Sequence, residues 1–274
     1  GAFLCSIYRV PFSVAPRGEL EENAIKYRKK VKLILHKIAL KIIYKRAKFI
    51  LVTSYQELEF SKKFFKKDMI FELIPNYIEI PKDKSLNKKD ILNKKNILYL
   101  GRLHPKKGIS NLIKAYFSLD QSILNKHLLI IAGEGSAKYT NSLKMMVQKS
   151  NHKKNVIFLG HIEGDVKEQI YKESKVFVLP SFSENFGNVV LESLSFSTPV
   201  IASKYTPWEA LEINKCGFWT DNTPIKIMKV LEKMLTMQKT DYLTYSMNSY
   251  EYVKGEFDVS KKIHDVINVY EKYI

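Results

Sequence analysis

The residues with the clearest chemical content fall in two short segments. In Pro180-Ser181-Phe182-Ser183-Glu184-Asn185-Phe186-Gly187-Asn188-Val189-Val190-Leu191-Glu192, two carboxylates bracket a turn leading from an apolar run into a helix that opens near Asn188. The first turn of a helix leaves backbone N–H groups without acceptors and carries the positive end of the helix dipole, so it suits an anion. Gly187 permits close backbone approach there. Carboxylates would repel a phosphate at this point, but they match the hydroxyls of a sugar or ribose, which donate hydrogen bonds in pairs. The plainer alternative is that Glu184 is a loop carboxylate and Glu192 simply favours the helix dipole.

The second segment is Leu100-Gly101-Arg102-Leu103-His104-Pro105-Lys106-Lys107-Gly108, which also lies between an apolar run and a helical pattern. Arg102 and Lys107 offer cationic donors to a pyrophosphate. Alone, such a loop reads as solvated surface; beside the first segment it reads as the second wall of an anion site. Two further loops follow apolar runs. The Gly133 and Gly135 pair around Glu134 reads as a plain turn. The backbone at Gly160 can border a base, with His161 an exposed loop histidine rather than a catalytic one.

These loops need strands to hold them. Apolar runs recur at Ile97–Leu100, Leu128–Ile131, Val156–Leu159, Val176–Leu179 and Pro199–Ala202. They do not alternate with polar residues, so both faces are covered, which points to a parallel sheet. Helical patterns at Ile109–Phe117, Ser142–Lys149, Lys167–Glu173 and Asn188–Ser197 lie between them. The alternation predicts an α/β doubly wound sheet whose ligands bind at the carboxyl ends of the strands. Earlier in the chain, Val10–Val14, Phe49–Thr53 and Phe71–Ile74 read as strands, and a Lys- and Ile-rich stretch from Glu21 to Lys45 reads as a helix. Ser54 is placed to cap the helix starting at Tyr55, with Glu57 completing a capping box.

Composition bounds the partners. The 274 residues carry 45 Lys and Arg against 28 Asp and Glu, a net charge of +17. That excess implies either a solvated lysine-rich surface or an anionic partner such as a membrane surface. No recognisable nucleic-acid module accompanies it, so nucleic acid is not an expected partner. Cys5 and Cys216 stand far apart with no CxxC and no Cys/His cluster, which argues against a structural zinc site and fits a reducing cytoplasm. No apolar run approaches the length of a membrane span. The amino terminus lacks both Met and the pattern of a signal peptide.

The strings GRLHPKKG, IAGEG, FLGHIEG, VFVLPSFSENFGNVVLE and TPVIASKYTPWEAL, in this order, resemble the donor half of family 4 retaining glycosyltransferases. VPFSVAPRGEL and ILVTSYQELE resemble the later part of that family's first domain. The resemblance implies a GT-B fold: a complete Rossmann-like donor domain with a parallel sheet, beside an incomplete Rossmann-like amino-terminal domain. The expected boundaries are 1–76 for the partial first domain, 77–95 for a linker, 96–240 for the nucleotide-sugar domain and 241–274 for helices crossing back. It implies that Glu184 contacts the donor sugar and Glu192 the ribose. Backbone amides of Phe186, Gly187 and Asn188 would hold the distal phosphate, and Arg102 and Lys107 the pyrophosphate. Gly160 and His161 would border the base, and Gly133 would line the donor site. Arg17 stands where some relatives have a His that holds the transferred sugar.

The activity implied is transfer of a sugar from a UDP- or GDP-sugar to a carbohydrate or lipid-linked acceptor, with retention, in cell-surface polysaccharide or lipopolysaccharide synthesis. The implied setting is the cytoplasm or the inner face of its membrane. No cofactor is expected, and no DxD metal signature is present. The alternatives are a binding-competent fragment without activity, a GT-B epimerase or phosphorylase, and, remotely, a basic nucleic-acid-binding protein.

Overall fold

The computed structural model describes residues 2–18, 43–65, 69–80 and 87–273, so most of the expected Glu21–Lys45 helix lies outside the described residues. The chain divides into two compact units, one comprising Gly1–Tyr77 with Val259–Ile274 and the other Ile78–Asp258.

In the smaller unit, α1 (Ala2–Ile7) comes first, and β1 (Ile50–Val52) and β2 (Phe71–Leu73) flank α2 (Tyr55–Phe65). The strands pair in parallel, Ile50 against Phe71. The expected strand Val10–Val14 is reduced to a single parallel bridge between Val14 and Ile50. Pro11 and Pro16 lack the N–H groups that would extend it. Ser54 caps α2, its Oγ accepting from the Glu57 N–H at 3.1 Å. The Glu57 carboxylate is buried and reaches further back than the cap. It accepts from the Thr53 N–H (2.8 Å), the Thr53 hydroxyl (2.9 Å) and the Gly18 N–H (2.8 Å). The carboxyl-terminal helix Val259–Glu271 belongs to this unit, with Tyr270 edge-on to Phe49 and Lys272 bonded to Glu72 at 2.8 Å.

In the larger unit, α3 (Lys88–Asn93) precedes a regular alternation: β3 (Asn96–Leu100), α4 (Ile109–Phe117), β4 (Leu129–Ala132), α5 (Ala137–Gln148), β5 (Val156–Gly160), α6 (Gly164–Glu173), β6 (Ser174–Leu179), α7 (Asn188–Ser195), β7 (Val200–Ser203), β8 (Gly217–Thr220), α8 (Pro224–Leu235) and α9 (Lys239–Glu256). The six strands are parallel in the order β5-β4-β3-β6-β7-β8. The side chains of β3, β4, β6, β7 and β8 are mostly buried, as expected of strands covered on both faces, whereas edge strand β5 leaves Ile157, Phe158 and Leu159 partly exposed.

The chain winds outward from β3 to β5, then returns to place β6 against the free side of β3 and winds outward again. The switch of direction therefore falls between β3 and β6. In sheets of this kind that crevice, at the carboxyl ends of the strands, receives the ligand.

Two boundary expectations differ from the observed structure. Residues 87–95 are not linker. Asn87 caps α3 through its side chain, and Lys94 is buried beneath α7. The Lys94 Nζ donates to Phe196 O (2.7 Å), Ser197 O (3.2 Å) and Thr198 Oγ1 (2.6 Å). Nor does the crossing segment start near 241. Tyr242, Ser246, Ser249 and Val253 of α9 are buried in the larger unit, and only residues from Val259 onward join the smaller one. Among the described residues, no helix is long and apolar enough to cross a membrane.

Candidate active site

The two segments singled out above are the loops that leave β3 and β6, so strand order alone brings them together. They are joined backbone to backbone. The Phe182 N–H donates to Lys106 O at 2.8 Å. Gly108 adopts φ 66°, and a Cβ there would meet Pro180 O at 1.9 Å, so only glycine lets the loops approach this closely. Asn222 donates to Pro180 O, and Asn111 of α4 holds Asn222 O at 2.9 Å.

On this frame Lys107 Nζ pairs directly with Glu184 Oε1, and Ser181 Oγ donates to the same oxygen at 2.7 Å. Lys107 follows from the local turn. Pro105–Lys107 is a 3₁₀ turn capped by His104 Nδ1, which accepts from the Lys106 N–H at 3.1 Å. Tyr99 lies beneath the pair, its hydroxyl donating to Arg102 O at 2.9 Å. Burial, and then the charge of Glu184, raise the Tyr99 pKa well above its usual range, so the phenol stays a neutral donor. Arg102 itself is exposed, and among the described residues its guanidinium has no ion-pair partner.

The turn into α7 is anchored from below. Phe186 is buried edge-on against Trp208 (5.1 Å between centroids), and the Trp208 Nε1–H donates to Phe186 O at 2.5 Å. Gly187 takes φ 84° and leads into α7 without a side-chain cap. Among the described residues, the N–H groups of Phe186 and Gly187 donate to no protein acceptor. Asn188 is the first residue of α7. A helix start without a side-chain cap, beside the Lys107–Glu184 pair, has the chemistry of an anion site.

Glu192 lies one turn into α7 with both oxygens engaged. Lys167 Nζ donates to Oε1 at 2.8 Å and the Tyr171 hydroxyl to Oε2 at 2.9 Å. Burial, and then the charge of Glu192, hold the Tyr171 pKa well above the usual value. A pocket of about 250 Å³ opens here, lined by Gly164, Lys167, Tyr171, Glu192 and Ser195 among others. A larger hollow of about 510 Å³, lined by Lys94, Lys95 and Lys172, lies at the amino ends of β3 and β6, away from the crevice.

The remaining expected residues sort differently. Gly133 has φ 123°, and a Cβ there would meet Gly101 O at 2.0 Å, so this glycine is required for β3 and β4 to pack at their ends. Gly160 (φ 73°) caps β5 with open space where a Cβ would be. His161 is exposed, 3.6 Å from Glu163. Arg17 (φ 48°) belongs to the smaller unit. Sequence reasoning missed Lys167 and Tyr171. Both lie within the expected helix, but nothing in their spacing tells that this face meets Glu192. Ser181 was missed as well, although its place three residues before Glu184 could have suggested a hydroxyl donor to that carboxylate.

This fold and site correspond to known proteins. Residues 81–251 match the glycosyl transferases group 1 family, and the chain belongs to it. The uncharacterized glycosyltransferase MJ1607 of Methanocaldococcus jannaschii is 31% identical over 184 residues, 65% of this chain and 45% of its own length. The capsular polysaccharide biosynthesis glycosyltransferase CapM of Staphylococcus aureus is 28% identical over 172 residues, 60% of this chain and 42% of its own. The chain thus spans about half the length of these relatives. Among solved structures, the Anabaena protein Alr3699/HepE in complex with UDP and glucose superposes with a TM-score of 0.82 at 18% identity, covering 99% of this chain and 74% of that one. The architecture is therefore that of GT-B glycosyltransferases.

Proposed function

We propose that the chain carries the donor-binding half of a retaining glycosyltransferase that uses a UDP- or GDP-sugar. The observation that carries this reading is the pairing of the loops after β3 and β6 at the switch point. It pairs Lys107 with Glu184 shortly before the start of α7, and Arg102 lies on the same loop as Lys107. In this reading Arg102, Lys107 and the amides of Phe186, Gly187 and Asn188 hold the pyrophosphate, Glu184 the donor sugar and Glu192 the ribose. Gly160 and His161 border the base. Gly133 acts only by shaping the crevice. Arg17 is a candidate contact to a sugar or a phosphate.

As the glycosidic bond breaks, negative charge grows on the departing nucleotide. Preorganised cations and amides stabilise that charge, each worth about 2–4 kcal/mol of barrier by analogy with oxyanion donors. Same-face attack lets the departing phosphate take the acceptor's proton, so no protein base is required.

The name of CapM and the UDP and glucose bound to HepE support a nucleotide sugar and a glycan product. The +17 charge supports action at an anionic cytoplasmic membrane face; vesicle co-sedimentation without lipid dependence would remove that part. For the donor site, Glu192→Ala and Arg102→Ala are expected to weaken UDP or GDP binding in calorimetry. Undiminished binding in both variants would sink the assignment.

A further inference from the structure

We infer that Phe182 and Tyr205 form an acceptor subsite that stacks the apolar face of a pyranose ring. This rests on the donor reading above and names the acceptor class that reading leaves open: a carbohydrate.

Both rings present apolar surface to solvent. Phe182 is 39% and Tyr205 50% exposed. Their centroids lie 6.1 Å apart, with the planes at 43°. Phe182 follows β6 and Tyr205 follows β7, so the pair occupies the carboxyl ends of the strands, one step from the switch crevice on the side away from β3. A donor with its base near Gly160 at the end of β5 and its sugar at Glu184 runs along the strand ends toward β7. The next group beyond the sugar is the acceptor, and Phe182 precedes Glu184 by two residues.

The loops that carry the rings are fixed. The Phe182 N–H is held by Lys106 O at 2.8 Å, and the Tyr205 N–H by Ser203 Oγ at 3.0 Å. Ser203 Oγ in turn donates to Ser181 O at 2.7 Å, which ties the two loops together. Rigid aromatic rings give contact area at little conformational cost.

The pair is too small to hold a lipid chain, which needs a continuous apolar patch. It suits a ring with an apolar C–H face and a polar edge. No proton or bond is moved here; the subsite positions the attacking hydroxyl.

The test is saturation-transfer NMR of the full chain with methyl α- and β-pyranosides of glucose, galactose and mannose, alone and with UDP or GDP. Wild type is expected to saturate the ring C–H protons of at least one glycoside with nucleotide bound. Phe182→Ala and Tyr205→Ala are each expected to reduce that signal about fivefold, while UDP or GDP binding persists. The exposed positions make unfolding of the variants unexpected, and retained nucleotide binding reports that they are folded. Absence of saturation in wild type, or equal saturation in both variants, overturns the subsite. Glycoside binding that depends on both rings, in a chain that binds neither nucleotide, supports the subsite and overturns the donor reading instead.

Discussion

Lys107 Nζ and Glu184 Oε1 form a direct ion pair across the loops that follow β3 and β6. The residues assigned to opposite ends of a sugar diphosphate thus neutralise each other. Their side chains are 24% and 11% exposed, so solvent screens the pair only partly. A bound pyrophosphate would compete with Glu184 for Lys107. Glu184→Gln is therefore expected to strengthen binding of UDP or GDP, which lack the sugar, by about threefold, and Lys107→Ala to weaken it about tenfold. Calorimetry on both variants checks the opposite signs; a loss of affinity in Glu184→Gln would contradict the competition.

Tyr171 and Lys167 hold the two oxygens of Glu192. Tyr171→Phe is expected to cost about 1.5–3 kcal/mol of stability, because it removes one hydrogen bond to a charged group. It should weaken nucleoside diphosphate binding less than Glu192→Ala does. Urea denaturation and calorimetry measure the two effects; a Tyr171→Phe variant as impaired as Glu192→Ala would mean that Tyr171 itself touches the ligand.

The glycines at the strand ends make contrasting predictions. Gly133→Ala drives a methyl against Gly101 O and is expected to destabilise by about 3 kcal/mol or more. Gly160→Ala meets open space and carries only the left-handed backbone cost of about 1 kcal/mol. Thermal unfolding of both variants should separate them clearly; equal melting temperatures would contradict the packing explanation for Gly133.

Lys94→Met leaves Phe196 O, Ser197 O and Thr198 Oγ1 without their common donor. The expected cost is about 2–4 kcal/mol. Burial draws the Lys94 pKa well below its ordinary 10.5. Between that lowered value and 10.5 the unfolded chain holds a proton that the folded chain has released, so wild-type stability rises with pH across the window. Lys94→Met removes that rise. Denaturation at several alkaline pH values, with parallel slopes for the two proteins, would refute it.

Most of the larger unit was legible because its strands are buried on both faces and read as unbroken apolar runs. The five expected runs begin within two residues of β3, β4, β5, β6 and β7. β8 was not anticipated: Gly217 opens it and it is a four-residue edge strand, so its apolar signal is short. The start of α5 was placed at Ser142 because the residues after its true cap, Ser136, carry little apolar periodicity. The resemblance to family 4 brought Arg102, Lys107, Glu184 and Glu192 into one hypothesis, but their partners were hidden. Whether Lys107 faces a ligand or Glu184 depends on how two loops pack, and local spacing does not encode that. In the smaller unit the strands at Phe49 and Phe71 were readable, whereas the run from Val10 was misread because proline removes hydrogen-bond donors that apolarity alone does not report.

The placement of β3 between β4 and β6 has a kinetic consequence. Ile97 pairs with Leu129 on one side and with Val176 on the other, a partner much further along the chain. Closing the longer loop costs more entropy, and distant pairings form slowly. The half-sheet from β3 to β5 can zip from nearby partners, whereas the seam between β3 and β6 must wait for a return across the whole of it. The crevice that gathers Arg102, Lys107 and Glu184 is created by that seam. Binding competence should therefore be among the last properties to emerge as the chain folds, and during synthesis it cannot exist until β6 has left the ribosome.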